Sequence, residues 1–199
     1  FRSLSAARRG SSHWVLQSHV ALFRFVPQLA QSPLQSSLQS GFMGNDKVKI
    51  KLPGYLEKAD SALRMFGMGK QADQLVETMN RAAENAVAEA KPILTESIKK
   101  MSVKDAKDIL TGGEDSVTQY FKRTSTDQLT AKFKPVVKKE TAKLQLADQY
   151  NKFAGKAASA GLVDKQNADV DSYVTQKAMD GLFLMIAEEE KKLRANPMG

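Results

Sequence analysis

Hydrophobic and polar positions along the 199-residue chain fall into two rhythms. From Lys47 to Leu52 they alternate strictly, with Val48, Ile50 and Leu52 on one side, and Pro53-Gly54 ends the run. This predicts a short strand or extended arm, and without a second strong strand signal an extended segment laid on helices is favoured. After it the period lengthens to that of a helix. Leu56, Ala59, Leu63 and Phe66 share a face that closes at Gly67, and Leu75, Met79, Ala82, Ala86 and Ala90 share another from Gly69 to about Ala90. Pro92 predicts a break or kink, after which Ile93, Leu94, Ile98 and Met101 continue the apolar face.

Ser102-Val103-Lys104-Asp105 resembles a capping box with Asp in the Glu position, opening a helix with Ala106, Ile109 and Leu110 that stops at Gly112-Gly113. Val117, Tyr120 and Phe121 belong to a further helix. Ser125-Thr126-Asp127-Gln128 reads as another start, leading to Leu129, Phe133, Val136 and Val137, with Pro135 as a kink. Tyr150 and Phe153 sit on a helix that decays into residues 157–161, and residues 162–168 read as a loop. Asp169 or Asp171 caps the last helix, which carries Val170, Val174, Leu182, Met185, Ile186 and Leu193 and sets Glu188 four residues before Lys192. Asn196-Pro197 ends it, and no repeat of fixed period is present. The pattern predicts an all-α multi-helix bundle with an N-terminal extended arm and one short strand-like segment.

Charge divides the chain in two. Residues 1–45 hold four arginines and no carboxylate, whereas the remaining 154 residues hold 26 basic and 22 acidic groups. An Arg- and Ser-rich, acid-poor stretch has the composition of an organellar presequence, so residues 1–41 are expected to be an arm or targeting-derived extension and residues 42–199 the helical domain. The alternative for the arm is a leader with no structural role. Mitochondrial localisation is the expectation.

The run from Trp14 to Leu29 is too short and polar to span a bilayer. Leu16, Val20 and Phe23 stand at helical spacing beside Arg24, so residues 14–29 could lie on a membrane surface or in a partner's groove, with Trp14 and Phe23 as anchors. The later part lacks the concentrated basic stripe that nucleic-acid binding requires, so no nucleic acid is expected.

There is no cysteine, and both histidines, His13 and His19, precede residue 46. Cys/His and Ser/His/Asp nucleophile systems and the usual zinc sites are therefore excluded beyond that point, leaving carboxylate, Lys, Tyr or oxygen-only metal chemistry. Asn80, Arg81 and Glu84 could form a polar ligand site or, more ordinarily, a structural ion pair. Tyr120, Arg123 and Thr124 could meet an anion beside a helix N-terminus near Thr126, or form a capped turn. Gly112-Gly113-Glu114-Asp115 lacks the Lys and Ser/Thr of a phosphate loop. Glu188, Glu189 and Glu190 are expected on a solvated face, and Met65, Met68, Met79, Met101, Met179 and Met185 in packing. No cofactor and no metal are expected.

Four stretches together resemble a bacterial family known as domain of unknown function 4197. They are GFMGNDKVKIKLPGYLEKADSALRMFGMG, NRAAENAVAEAKPI, KDAKDILTGGEDSVTQYFKRTS and SYVTQKAMDGLFLMIAEEEKKLR, and the resemblance covers about residues 42–195. It implies a small helical domain, usually exported to the bacterial periplasm behind a signal peptide, which makes the periplasm the alternative localisation, and it implies no particular activity. The acid-free arm departs from that pattern and points to an organelle instead. The expected function is a non-catalytic protein that binds other protein subunits, such as an accessory subunit of a mitochondrial respiratory-chain or other organellar complex. The alternatives are a small-molecule or lipid carrier of periplasmic type and, last, a carboxylate-dependent hydrolase.

Overall fold

A computed structural model describes residues 41–53, 64, 65, 69–143, 151, 159 and 169–195. Residues 1–40 lie outside it, and with them the expectations for Trp14, Leu16, Val20, Phe23 and Arg24. So do most of the helix expected at 55–66, Met68, Tyr150, Phe153 and the 162–168 loop. The described helices are α1 (Gly69–Ala88), α2 (Ala90–Lys99), α3 (Val103–Thr111), α4 (Ser116–Thr141) and α5 (Val170–Ala195). No strand occurs among the described residues, so the all-α expectation holds.

The three long helices α1, α4 and α5 pack on one another, with α2 and α3 against α4. On α1 the inward row Leu75, Met79, Ala82, Ala86, continued by Ala90, is buried as its spacing predicts. Its alanines let a neighbouring helix come close. The core continues through Val117, Phe121, Leu129, Phe133 and Val137 of α4 and Val174, Ala178, Leu182 and Ile186 of α5. Each large side chain withdrawn from water there contributes about 1.5–3 kcal/mol.

Helix boundaries follow local chemistry. The break between α1 and α2 comes at Glu89, not at Pro92. Pro92 is the third residue of α2, inside the first turn, where a missing N–H costs nothing, so the chain turns before it. The Ser102 capping box forms as read: the Ser102 hydroxyl accepts from the Asp105 N–H, and the Asp105 carboxylate accepts from the Ser102 N–H. Asp169, not Asp171, caps α5 by accepting from the Ser172 N–H at 2.8 Å. The Asn151 side chain accepts from the Val170 N–H beside it.

The second box-like start does not exist. α4 runs without a break from Ser116 to Thr141, through Pro135. The Thr124 and Thr126 hydroxyls donate back to the carbonyls of Tyr120 and Lys122, and Ser125 is buried with its hydroxyl 2.7 Å from that of Ser97. Hydroxyls that bond back one turn or across to another helix are not available to cap a new one.

Residues 41–53 form a strap across α1 and α5. Lys47 and Val48 lie in a turn closed by the Asn45 carbonyl, so the extended stretch starts only at Lys49. Val48 and Ile50 are buried and Leu52 half-buried, on one side as the alternation predicts. Phe42 is fully buried on α5. A Cβ at Gly181 would stand 2.7 Å from the Phe42 ring, so only glycine admits the ring there. Residues 41–45, the end of the acid-free stretch, thus pack on this chain's own helices. Leu110 and Met65, expected in packing, are instead exposed.

Candidate functional site

Three clusters of polar side chains stand out, and each holds a junction. The first fastens the strap. Asn80 is fully buried one turn after Val76 on the apolar face of α1. Its side-chain oxygen accepts from the Ile50 N–H at 2.8 Å, and its amide nitrogen donates to the Ile50 carbonyl at 2.8 Å and to the Val76 carbonyl at 2.7 Å. An asparagine amide offers one donor and one acceptor side by side, the complement of an extended residue's backbone. One turn on, the Glu84 carboxylate accepts from the N–H groups of Phe42 and Met43. The Tyr173 hydroxyl of α5 donates to the Lys51 carbonyl, and Lys47 pairs with Glu188. Arg81 points elsewhere and pairs with Glu77 on the exposed surface. Asn80 and Glu84 therefore act together, without Arg81, on this chain's own backbone.

The second cluster lies where α2, α3 and α4 meet. The Tyr120 hydroxyl donates to the Ser97 carbonyl at 2.6 Å, and Arg123 donates to Asp105 at 2.7 Å while its guanidinium lies over the Tyr120 ring. Burial pushes the Tyr120 phenol above its ordinary value, and the neighbouring Asp105 charge adds to this. The bonds from the Ser102 hydroxyl and N–H, followed by the charges of Arg123 and Lys104, hold the Asp105 carboxyl below the usual range. These residues border an open cleft of about 270 Å³ that Asp108 and Asp115 also line. Three carboxylates against one arginine repel an anion. The helix N-terminus that was to assist near Thr126 is absent, since Thr126 lies inside α4.

The third cluster was not anticipated. Glu190, expected on a solvated face, is fully buried. Its carboxylate accepts from the N–H groups of Val117 and Thr118, both at 2.9 Å, and from the Thr118 hydroxyl at 2.8 Å. Arg194, one turn on, donates to the same carboxylate from Nε and Nη2 and also reaches the Ser116 hydroxyl and the Ile109 carbonyl. Asp115, at the N-cap of α4, does not cap the helix with its side chain, which instead accepts from the Gln119 amide. Glu190 of α5 takes over that role from outside and places negative charge at the positive end of α4. Its position gave a signal: it lies four residues after Ile186 and three before Leu193, on the apolar stripe. The other two glutamates stay near the surface. Glu188 meets Lys47, and Lys192 pairs with Glu189 at 3.2 Å in place of the expected Glu188.

A further cleft of about 280 Å³ separates residues 47–51 from the Tyr173–Leu184 face of α5 and is lined by Lys47, Lys49, Lys51 and Lys177. Among the described residues, no group of three His, Cys, Asp or Glu is placed to hold a metal ion, and no helix is long and apolar enough to cross a membrane.

The model of a family described as protein of unknown function (DUF4197) matches residues 30–199, reaching twelve residues further back than the stretch that carries the sequence resemblance. No curated protein and no solved structure matches the chain.

Proposed function

The chain belongs to the DUF4197 family of proteins of unknown function, and from that footing we propose that it is a non-catalytic helical protein that works by binding other protein subunits. The observation that carries this reading is the use to which the buried polar groups are put. Asn80, Ser97, Thr118, Ser125, Thr141 and Glu190 are each hydrogen-bonded within the domain, and among the described residues Thr175 is the one buried polar side chain without a partner. With those groups committed inward, the side chains left for contact lie outside, in exposed lysines such as Lys91 and in apolar residues such as Val103 on α3. A helical surface of this kind suits recognition of another protein.

The acid-free residues 1–40 add the second half of the proposal. Their composition suits import into mitochondria, and Trp14, Leu16, Val20, Phe23 and Arg24 would grip a neighbouring subunit or membrane surface. An accessory subunit of an organellar assembly, such as a respiratory-chain complex, is the concrete form of the idea. The test is elution of the tagged full-length chain from mitochondrial extract. Co-elution with companions at high mass is expected. Elution as a lone monomer, with residues 1–40 cleaved readily by protease in the native extract, overturns the proposal.

A further inference from the structure

We propose that the cleft between residues 47–51 and α5 is a docking groove for an extended acidic segment of a partner protein. The proposal rests on the reading of the domain as an interaction protein and names the partner's chemistry. Its first support is geometric. Residues 49–53 are extended, and Asn80 and Tyr173 hold the Ile50 and Lys51 backbone in place. With Ile50 buried between them, half-buried Lys49 and exposed Lys51 stand two residues apart, at a spacing of roughly 7 Å along an extended backbone. Carboxylates on alternate residues of an extended peptide have that same spacing.

The second support is charge. Lys47, Lys49, Lys51 and Lys177 line the cleft against one carboxylate, Asp180. Lys47 already holds a carboxylate, that of Glu188, and Lys177 has Asp180 at 3.9 Å. Lys49 and Lys51 form no ion pair among the described residues. The chain thus uses two of its four lysines for carboxylates of its own and leaves two fixed cations for another's. The third support is size. At about 280 Å³ and open to solvent, the cleft falls at or below the roughly 300–1,000 Å³ of pockets that enclose small molecules. A peptide lying along the surface needs no enclosure.

The test measures binding of the full-length chain to a labelled synthetic peptide of alternating Glu and Ser. The control peptide carries as many glutamates, each separated from the next by two serines, so that no two lie on alternate residues. The alternating peptide is expected to bind about fivefold more tightly, in keeping with two exposed ion pairs, and to weaken as salt rises. Lys49→Glu with Lys51→Glu is expected to abolish the preference, with an unchanged thermal melt showing that the fold persists. Lys91→Glu on α2 with Lys100→Glu at its C-terminal cap is expected to leave it intact.

Equal affinity for the two peptides overturns the proposal, as does binding indifferent to Lys49 and Lys51. Tighter binding of a single-stranded oligonucleotide or of phosphatidylserine vesicles through the same lysines also overturns it, in favour of phosphate. Extract elution separates the two levels of the idea. If the Lys49→Glu/Lys51→Glu chain keeps the parent's companions, the groove fails and the interaction reading stands. If both chains elute alone, the interaction reading itself fails.

Discussion

Two junctions in this domain solve the same problem by different means. At the strap, Asn80 satisfies both backbone groups of Ile50 with a neutral side chain. At the start of α4, Glu190 satisfies the Val117 and Thr118 N–H groups with a buried charge and needs Arg194 to accompany it. The neutral clasp puts no charge into the core, so its loss costs the bonds it made and the two Ile50 groups it strands. The charged one is a network, and removing the carboxylate leaves a partly buried guanidinium and three donors without their acceptor.

The largest effect is therefore expected from Glu190→Ala, at about 3–5 kcal/mol of folding stability. It should appear in urea unfolding as a lower midpoint at unchanged slope. Glu190→Gln keeps the shape without the charge and should lose more than half as much. Near-neutral behaviour of both would end the contrast.

Asn80→Ala comes next, at about 2 kcal/mol, because it strands an N–H and a carbonyl beneath the strap. Hydrogen exchange sharpens the comparison. The Ile50 amide should be exposed by Asn80→Ala and spared by Glu190→Ala, with the opposite result for the Val117 and Thr118 amides.

Tyr173→Phe should cost about 1 kcal/mol or less, since water can reach the Lys51 carbonyl that it releases. The smallest effect concerns the α3 cap. The Asp105 carboxyl titrates below the ordinary 3.8 of an aspartate in the folded chain. Its contribution is complete above that value and is lost as pH falls through the depressed one. The difference in stability between the parent and Asp105→Asn should therefore shrink as the pH is lowered through that range, with little change at neutral pH.

Much of this was legible in the sequence, and the misses share a cause. The inward row of α1, the Ser102 box and the buried side of the strap follow from period and local bonding alone, so the chain announces them. Ser125-Thr126-Asp127-Gln128 was misread because the same hydroxyls can cap a helix or bond back along one, and the choice was made by Ser97 across the interface. The three consecutive glutamates read as solvated because charge usually is. What overruled that prior was the apolar stripe through position 190 and an uncapped helix start 73 residues earlier in the chain. Asn80 reads in the sequence as a candidate ligand residue, yet the backbone it binds is its own chain's, a distinction that no spacing within α1 encodes.

The strap also orders events during synthesis. Phe42 and Lys51 emerge early, yet Gly181 and Tyr173, against which they settle, follow more than a hundred residues later. At about 5–20 residues per second, Phe42, Val48 and Ile50 wait on the order of ten seconds without α5 to cover them. That interval is a window in which a chaperone can hold the nascent chain open, and it closes when the last helix arrives.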